Sequence, residues 1–175
     1  MSTQPLVNRV ANSGLVTLTL EEDYPQHNMI HFDLKDHLFQ ELILKEKDFR
    51  TALKEHDWTQ YQDAILLVHC STDAIIPVWA YMLVTAYAEP YAHQIYQGSQ
   101  QAYLDYYYNK IIQERDYSEH EGARIVIKGC SNRPVPPSAY LALTTKLRPY
   151  AQSIMYGEPC STVPIFKRPR VLKKD

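Results

Sequence analysis

Three side chains stand out as able to do chemistry: Cys70, Cys130 and Cys160, the only cysteines in the chain. Each precedes a serine and, a few residues on, a β-branched residue and proline. Cys70-Ser71 leads to Ile76-Pro77, Cys130-Ser131 to Val135-Pro136, and Cys160-Ser161 to Val163-Pro164. Three thiolates brought together suit zinc, with a fourth ligand from His, Asp or water, or an iron–sulfur cluster with one non-cysteine corner. Asp73, Glu158 and His69 are the further ligands nearest in the chain. Two other readings stand beside the metal. A free cysteine is small, often buried and suited to a crowded strand-to-helix turn, and a thiol at a helix amino terminus has a lowered pKa that favours thiol chemistry without metal. No C-x-x-C pair occurs, so the spacing itself carries no metal signature.

Around these thiols, Ser71, Thr72 and Asp73, and likewise Ser131 and Asn132, read as helix caps whose neighbouring amides are open to an anion or a partner loop. His27, His31 and Asp33 form a further ligand group if the strand there brings His31 and Asp33 to one face; the plainer reading is a solvated strand. Tyr103, Tyr106, Tyr107 and Tyr108 fall on a helix and suit core packing with wet hydroxyls, or else the stacking of nucleic-acid bases or a homodimer interface. Neither a G-x-G-x-x-G nor a G-x-x-x-x-G-K-[ST] loop is present, which argues against standard dinucleotide and nucleoside triphosphate sites.

The elements that must position these groups are read from periodicity. Setting Glu46–Gly98 against Asp105–Gly157 at a constant offset of 59 aligns 53 positions without a gap, 12 of them identical. Such self-similarity points to duplication. Each copy opens on a helical pattern, with Phe49, Ala52 and Leu53 on one face of the first and Tyr108, Ile111 and Ile112 on one face of the second. The runs AILLVHC and ARIVIKG follow, continuous and β-branched like strands covered on both faces of a parallel sheet. Pro77 and Pro136 then lead into apolar helices, and HQIYQG and QSIMYG give second strands ending at glycine. The fold expected is α/β, a three-layer sandwich on a mainly parallel sheet made by two tandem α-β-α-β repeats. The segments 15–20 and 29–34 join it as an antiparallel edge pair. This arrangement places Cys70 and Cys130 at the carboxyl ends of equivalent strands, the edge where open α/β sheets bind ligands, with Cys160 following a strand that ends at the same edge.

Length and composition bound the rest. A chain of 175 residues suits one domain with a basic tail over 167–175. A formal charge of −2 supplies no overall field for nucleic acid or membrane. The segment from Ala74 to Ala88 is too short and too interrupted to span a bilayer. Three cysteines with no secretory pattern before them point to reduced thiols in a cytoplasm.

The segments LVNRVANSGLVTL, LILKEKDFR, DAIIPVWAYML, IVIKGCS and above all IMYGEPCSTVP make the chain, from about Val7 to Lys167, similar to a bacterial family known only as a domain of unknown function. That resemblance implies no established activity. It does imply an accessory role near iron–sulfur cluster assembly, with assembly proteins as partners, and it carries the three-cysteine hypothesis onto Cys70, Cys130 and Cys160. The alternative from a different class is a binding or interaction domain with an anion or partner pocket at the paired helix starts.

Overall fold

The computed structural model describes residues 14–158 and 160–169. In chain order the elements are β1 (Leu15–Leu18), β2 (Met29–Asp33), α1 (Glu46–Glu55), β3 (Ile65–His69), α2 (Val78–Ala88), β4 (Gln94–Gln97), α3 (Gln100–Glu114), β5 (Arg124–Lys128), α4 (Pro137–Leu147), β6 (Ser153–Glu158) and β7 (Ser161–Lys167). The protein is therefore mixed α/β, with four α-helices among the described residues and strands that are mostly parallel. The strands divide between two sheets rather than forming one. Residues 25–104 build one compact unit, and the described residues of 14–24 and 105–169 build the other.

In the 25–104 unit the strand order is β2-β3-β4, all parallel, with Phe32 opposite Val68 and Leu67 opposite Tyr96. Ile65, Leu66, Leu67 and Val68 are all buried, as a central strand covered on both faces requires. Alternation sends Leu66 and Val68 to one face, where they join Phe32, Phe49 and Leu53 of α1, and Ala80, Val84 and Ala88 of α2 in one cluster. The three α2 residues recur every four positions, so one stripe of that helix meets the sheet. On the opposite face, Tyr103 near the start of α3 packs edge-on to Tyr96 at 5.3 Å and donates its hydroxyl to Gln94 Oε1 at 2.9 Å.

The core of this unit is aromatic. Phe32 stacks with both His37 (5.1 Å) and Trp58 (5.6 Å), and Trp58 stacks in turn with Tyr87 (5.7 Å). Trp58 Nε1 donates to the Leu53 carbonyl at 2.9 Å, which ties the turn after α1 to the helix end. His56 stacks on Tyr61, and its Nε2 lies 2.9 Å from the Tyr61 hydroxyl and 3.1 Å from the Gln60 amide nitrogen. An amide nitrogen only donates, so His56 Nε2 is the acceptor and the ring is neutral.

In the other unit the order is β1-β5-β6-β7, the first three strands parallel and β7 antiparallel to β6. Ala139, Leu143 and Leu147 form the buried stripe of α4, and Tyr108 and Ile112 are buried on α3. The segment after β1 is fastened to α3 twice. Tyr108 donates its hydroxyl to the Leu20 carbonyl at 3.0 Å, and Arg115 makes a two-pronged ion pair with Asp23 at 2.9 and 2.6 Å. Gly157 (φ +126) makes the β6–β7 hairpin possible, because a Cβ there would lie 2.5 Å from the Ser161 carbonyl oxygen.

Three expectations are corrected. The single sheet of a three-layer sandwich is replaced by two sheets, and β1 and β2 do not pair with each other: β1 runs parallel to β5 and β2 parallel to β3. Alternating apolar residues fix which face of a strand is buried but leave its neighbour open. Lys167, expected in the tail, is the end of β7; residues 170–175 lie outside the described residues.

Burial pulls the pKa of His37 below its ordinary value, aided by nearby His56 and opposed by Asp36, and burial likewise lowers that of His56. A base whose folded-state pKa is depressed contributes stability that is complete above the unfolded value of 6.5 and is lost as pH falls below it. Urea midpoints measured from pH 8 to pH 5 are expected to be flat down to about 6.5 and then to fall, by at most ~1.4 kcal/mol per pH unit for each imidazole. His37→Phe, which keeps the stack on Phe32, is expected to flatten that slope; an unchanged slope would sink the assignment.

Candidate functional site

A metal centre of the kind the motifs suggest depends on where the three thiols lie. Cys70 follows β3 in the 25–104 unit, is half-buried against the hydrophobic cluster, and has its Sγ 3.3 Å from Thr72 Oγ1. Cys130 and Cys160 belong to the other unit and are exposed, Cys160 in the β6–β7 turn. Among the described residues, no three of His, Cys, Asp and Glu gather so as to hold a metal ion. The single three-thiol centre expected from the motifs is therefore not formed. At the offset of 59, Gly129 rather than Cys130 stands opposite Cys70, so the recurring Cys-Ser pair does not mark equivalent positions.

The remaining predicted ligands also disperse. Asp73 is exposed, and Glu158 Oε1 is buried with no hydrogen-bond partner among the described residues. The expected caps sit too early, because α2 and α4 start after Pro77 and Pro136, whose extended backbones occupy the cap positions without a side-chain hydrogen bond. Ser71 uses its amide to bind Asp33, Ser131 exchanges hydrogen bonds with the Arg133 backbone, and the Asn132 amide donates to Glu21 Oε1 at 3.1 Å. Each stiffens a strand-to-helix loop.

What the fold does bring together is a different set. The parallel register places Asp33 opposite His69 and His31 opposite Leu67, so His31, Asp33 and His69 share a face at the carboxyl end of β2 and β3. His31 Nδ1 lies 3.1 Å from His69 Nε2, and the two rings meet edge to face at 5.1 Å. Asp33 Oδ1 accepts from the amides of Lys35 and Ser71, both at 3.0 Å, and so clamps the loop after β3 to the end of β2. Burial acts to raise the pKa of its carboxyl, but the Ser71 and Lys35 hydrogen bonds and the nearby His69 together hold it below the ordinary carboxylate range. His27, expected with this group, instead stacks on His93 at 3.7 Å and bonds the Asp63 carbonyl.

These side chains line a cleft of about 710 Å³. Cys70, Thr72 and Ala74 of the following loop form one wall. Tyr81 of α2 and Gln97, Gly98 and Ser99 at the end of β4 form another. Gly98 holds φ +141, and an added Cβ would press within 3.1 Å of the Tyr96 ring. Burial, then the nearby Cys70, raises the Tyr81 phenol pKa, so Tyr81 offers a protonated hydroxyl.

A family model matches residues 4–168, nearly the whole chain. The chain belongs to the DUF2480 family. That family is described as a protein of unknown function, so membership brings no activity with it. No curated protein and no solved structure matches the chain. No described helix of this DUF2480 chain is long and apolar enough to cross a membrane.

Sequence reasoning singled out His31 and Asp33 as one group and His69 as another, without joining them. The missing information was that β2 pairs with β3 in parallel, which no local pattern encodes.

In the native protein a maleimide is expected to modify Cys130 and Cys160 before Cys70. Asp33→Ala removes the clamp on the 70–74 loop; it is expected to cost about 1–3 kcal/mol in urea unfolding and to speed Cys70 modification in the folded state. Equal rates for all three thiols in the parent protein would contradict this placement.

Proposed function

We propose that this is a small-molecule binding domain whose ligand occupies the cleft at the carboxyl edge of the β2-β3-β4 sheet. The observation that carries the reading is convergence: His31, Asp33, His69 and Gln97 come from the ends of three adjacent parallel strands into one cleft of about 710 Å³. Open parallel sheets place ligands at that edge, and ligand sites commonly measure roughly 300–1,000 Å³. The lining alternates hydroxyl, amide, imidazole and thiol groups with the small residues Ala74 and Gly98, which leaves room as well as polar partners. Zinc or an iron–sulfur species held by cysteines gains no support, since the polar groups that converge are those around His31 and His69.

We further infer that the two units arose by duplication, which gives the cleft a counterpart. Supporting this, Ile65–His69 and Arg124–Lys128, and again Val78–Ala88 and Pro137–Leu147, differ by 59 at both ends. Buried Ala80, Val84 and Ala88 answer to buried Ala139, Leu143 and Leu147 at the same offset. Asp57 accepts from the Thr59 amide as Asp116 does from that of Ser118, and Gly98 and Gly157 both hold positive φ. The corresponding place in the other unit, lined by Gly129, Ser131, Arg133, Tyr140 and Tyr156, is a more apolar hollow of about 570 Å³ without the histidines. On this reading the copies have diverged and the histidine cleft carries the binding role.

The test is a thermal-shift panel of sulfate, succinate, spermidine and glucose, run on the parent protein and on Ala74→Trp, which fills the cleft. At least one class is expected to raise the melting temperature, by about 5 °C at a hundredfold excess over its Kd, and Ala74→Trp is expected to abolish the rise. No shift from any class, or shifts that Ala74→Trp leaves intact, would overturn the reading.

A further inference from the structure

We infer that the ligand of this cleft is an anion and that binding it loads one proton onto the His31–His69 pair. This rests on the cleft being the binding site, and it adds the ligand's charge and the way binding is regulated.

With His31 Nδ1 and His69 Nε2 only 3.1 Å apart, one N–H lies between them and the other facing nitrogen must supply a lone pair. In the neutral pair, whichever ring donates, the two outward nitrogens are then one donor and one acceptor. One added proton converts the outward acceptor into a donor and leaves the bridge intact. A second added proton would set N–H against N–H and break the bridge. The singly charged pair is thus the state that presents two N–H donors and a positive charge, and an anion selects it.

The rest of the cleft makes this pair decisive, because no Lys or Arg lines it among the described residues. The charged or titratable groups that line it within the unit are Asp33 on β2, Cys70 on the loop and Tyr81 on α2; β4 and the residues after it contribute neutral Gln97 and Ser99. Asp33 Oδ1 is committed to two backbone amides, so this carboxylate serves as a strut. Cys70 is engaged with Thr72, and Tyr81 stays protonated. A cationic or neutral ligand would match the uncharged pair and bind with no proton change.

Sulfate is the probe, since it does not titrate between pH 5 and 8 and any proton taken up belongs to the protein. Calorimetry in two buffers of different ionisation enthalpy is expected to show uptake approaching one proton per sulfate above pH 7. The Kd should tighten by about tenfold per pH unit on acidification through that range. His31→Gln and His69→Gln are each expected to weaken sulfate at least tenfold and to remove the uptake, with the unfolding transition at pH 8 retained. Imidazole ¹⁵N shifts of His31 and His69 in the parent protein give an independent reading of the added proton. Sulfate binding without uptake, or uptake unchanged in both variants, overturns the inference. So does preference for spermidine or glucose in the cleft, which leaves the binding reading standing, whereas failure of every panel member defeats both.

Discussion

The parallel pairing of β2 with β3 is the constraint from which the 25–104 unit follows. Its central strand withdraws four consecutive apolar residues, Ile65 to Val68, from water, so both faces have to be covered. Helices α1 and α2 meet the Leu66 and Val68 side, and the start of α3 meets β4 on the other. Full burial of each such side chain stabilises by roughly 1.5–3 kcal/mol. The same register that seals this core sets Asp33 beside His69 at its open end. Packing in the middle of the sheet therefore positions the chemistry at its edge.

The histidines show how one residue type takes different roles from its surroundings. Six of the seven lie between residues 25 and 104. His37 and His56 are embedded among aromatic rings, where burial lowers their pKa and favours the neutral form. His27 and His93 stack on each other in exposed positions, and His31 and His69 share a hydrogen bond in a polar cleft. The first two tie the fold to neutral or higher pH, while the last two have ring nitrogens left to meet a ligand.

Much of the element order was legible because local residues dictate it. The apolar run before His69 could only be an interior strand, and Pro77 and Pro136, unable to continue a helix from behind, mark where α2 and α4 begin. Family membership was legible too, from segments across the chain. What failed were inferences about distant neighbours. Strand β7 was missed because Pro164 interrupts its pattern, and it survives as an edge strand with a register shift where proline is tolerated. The three cysteines looked equivalent by their serine neighbours, yet Cys70 is the one that lines the His31–His69 cleft. The His31–His69 pair joins residues 38 apart, and only the β2–β3 register reveals it.

The chain starts one unit, breaks off near residue 24 to build the other, and resumes at 105. On a ribosome this order has a kinetic consequence. Strand β2 has its neighbour β3 available once residue 69 has emerged, and β4 is available to complete that sheet by residue 97. Strand β1, made earlier, has no partner until β5 is translated around residue 124, about a hundred residues later. At 5–20 residues per second that is a wait of some 5–20 s. Over that interval the segment Leu15–Leu18 is an unpaired apolar strand, the type of surface that chaperones cover and that misassembly exploits.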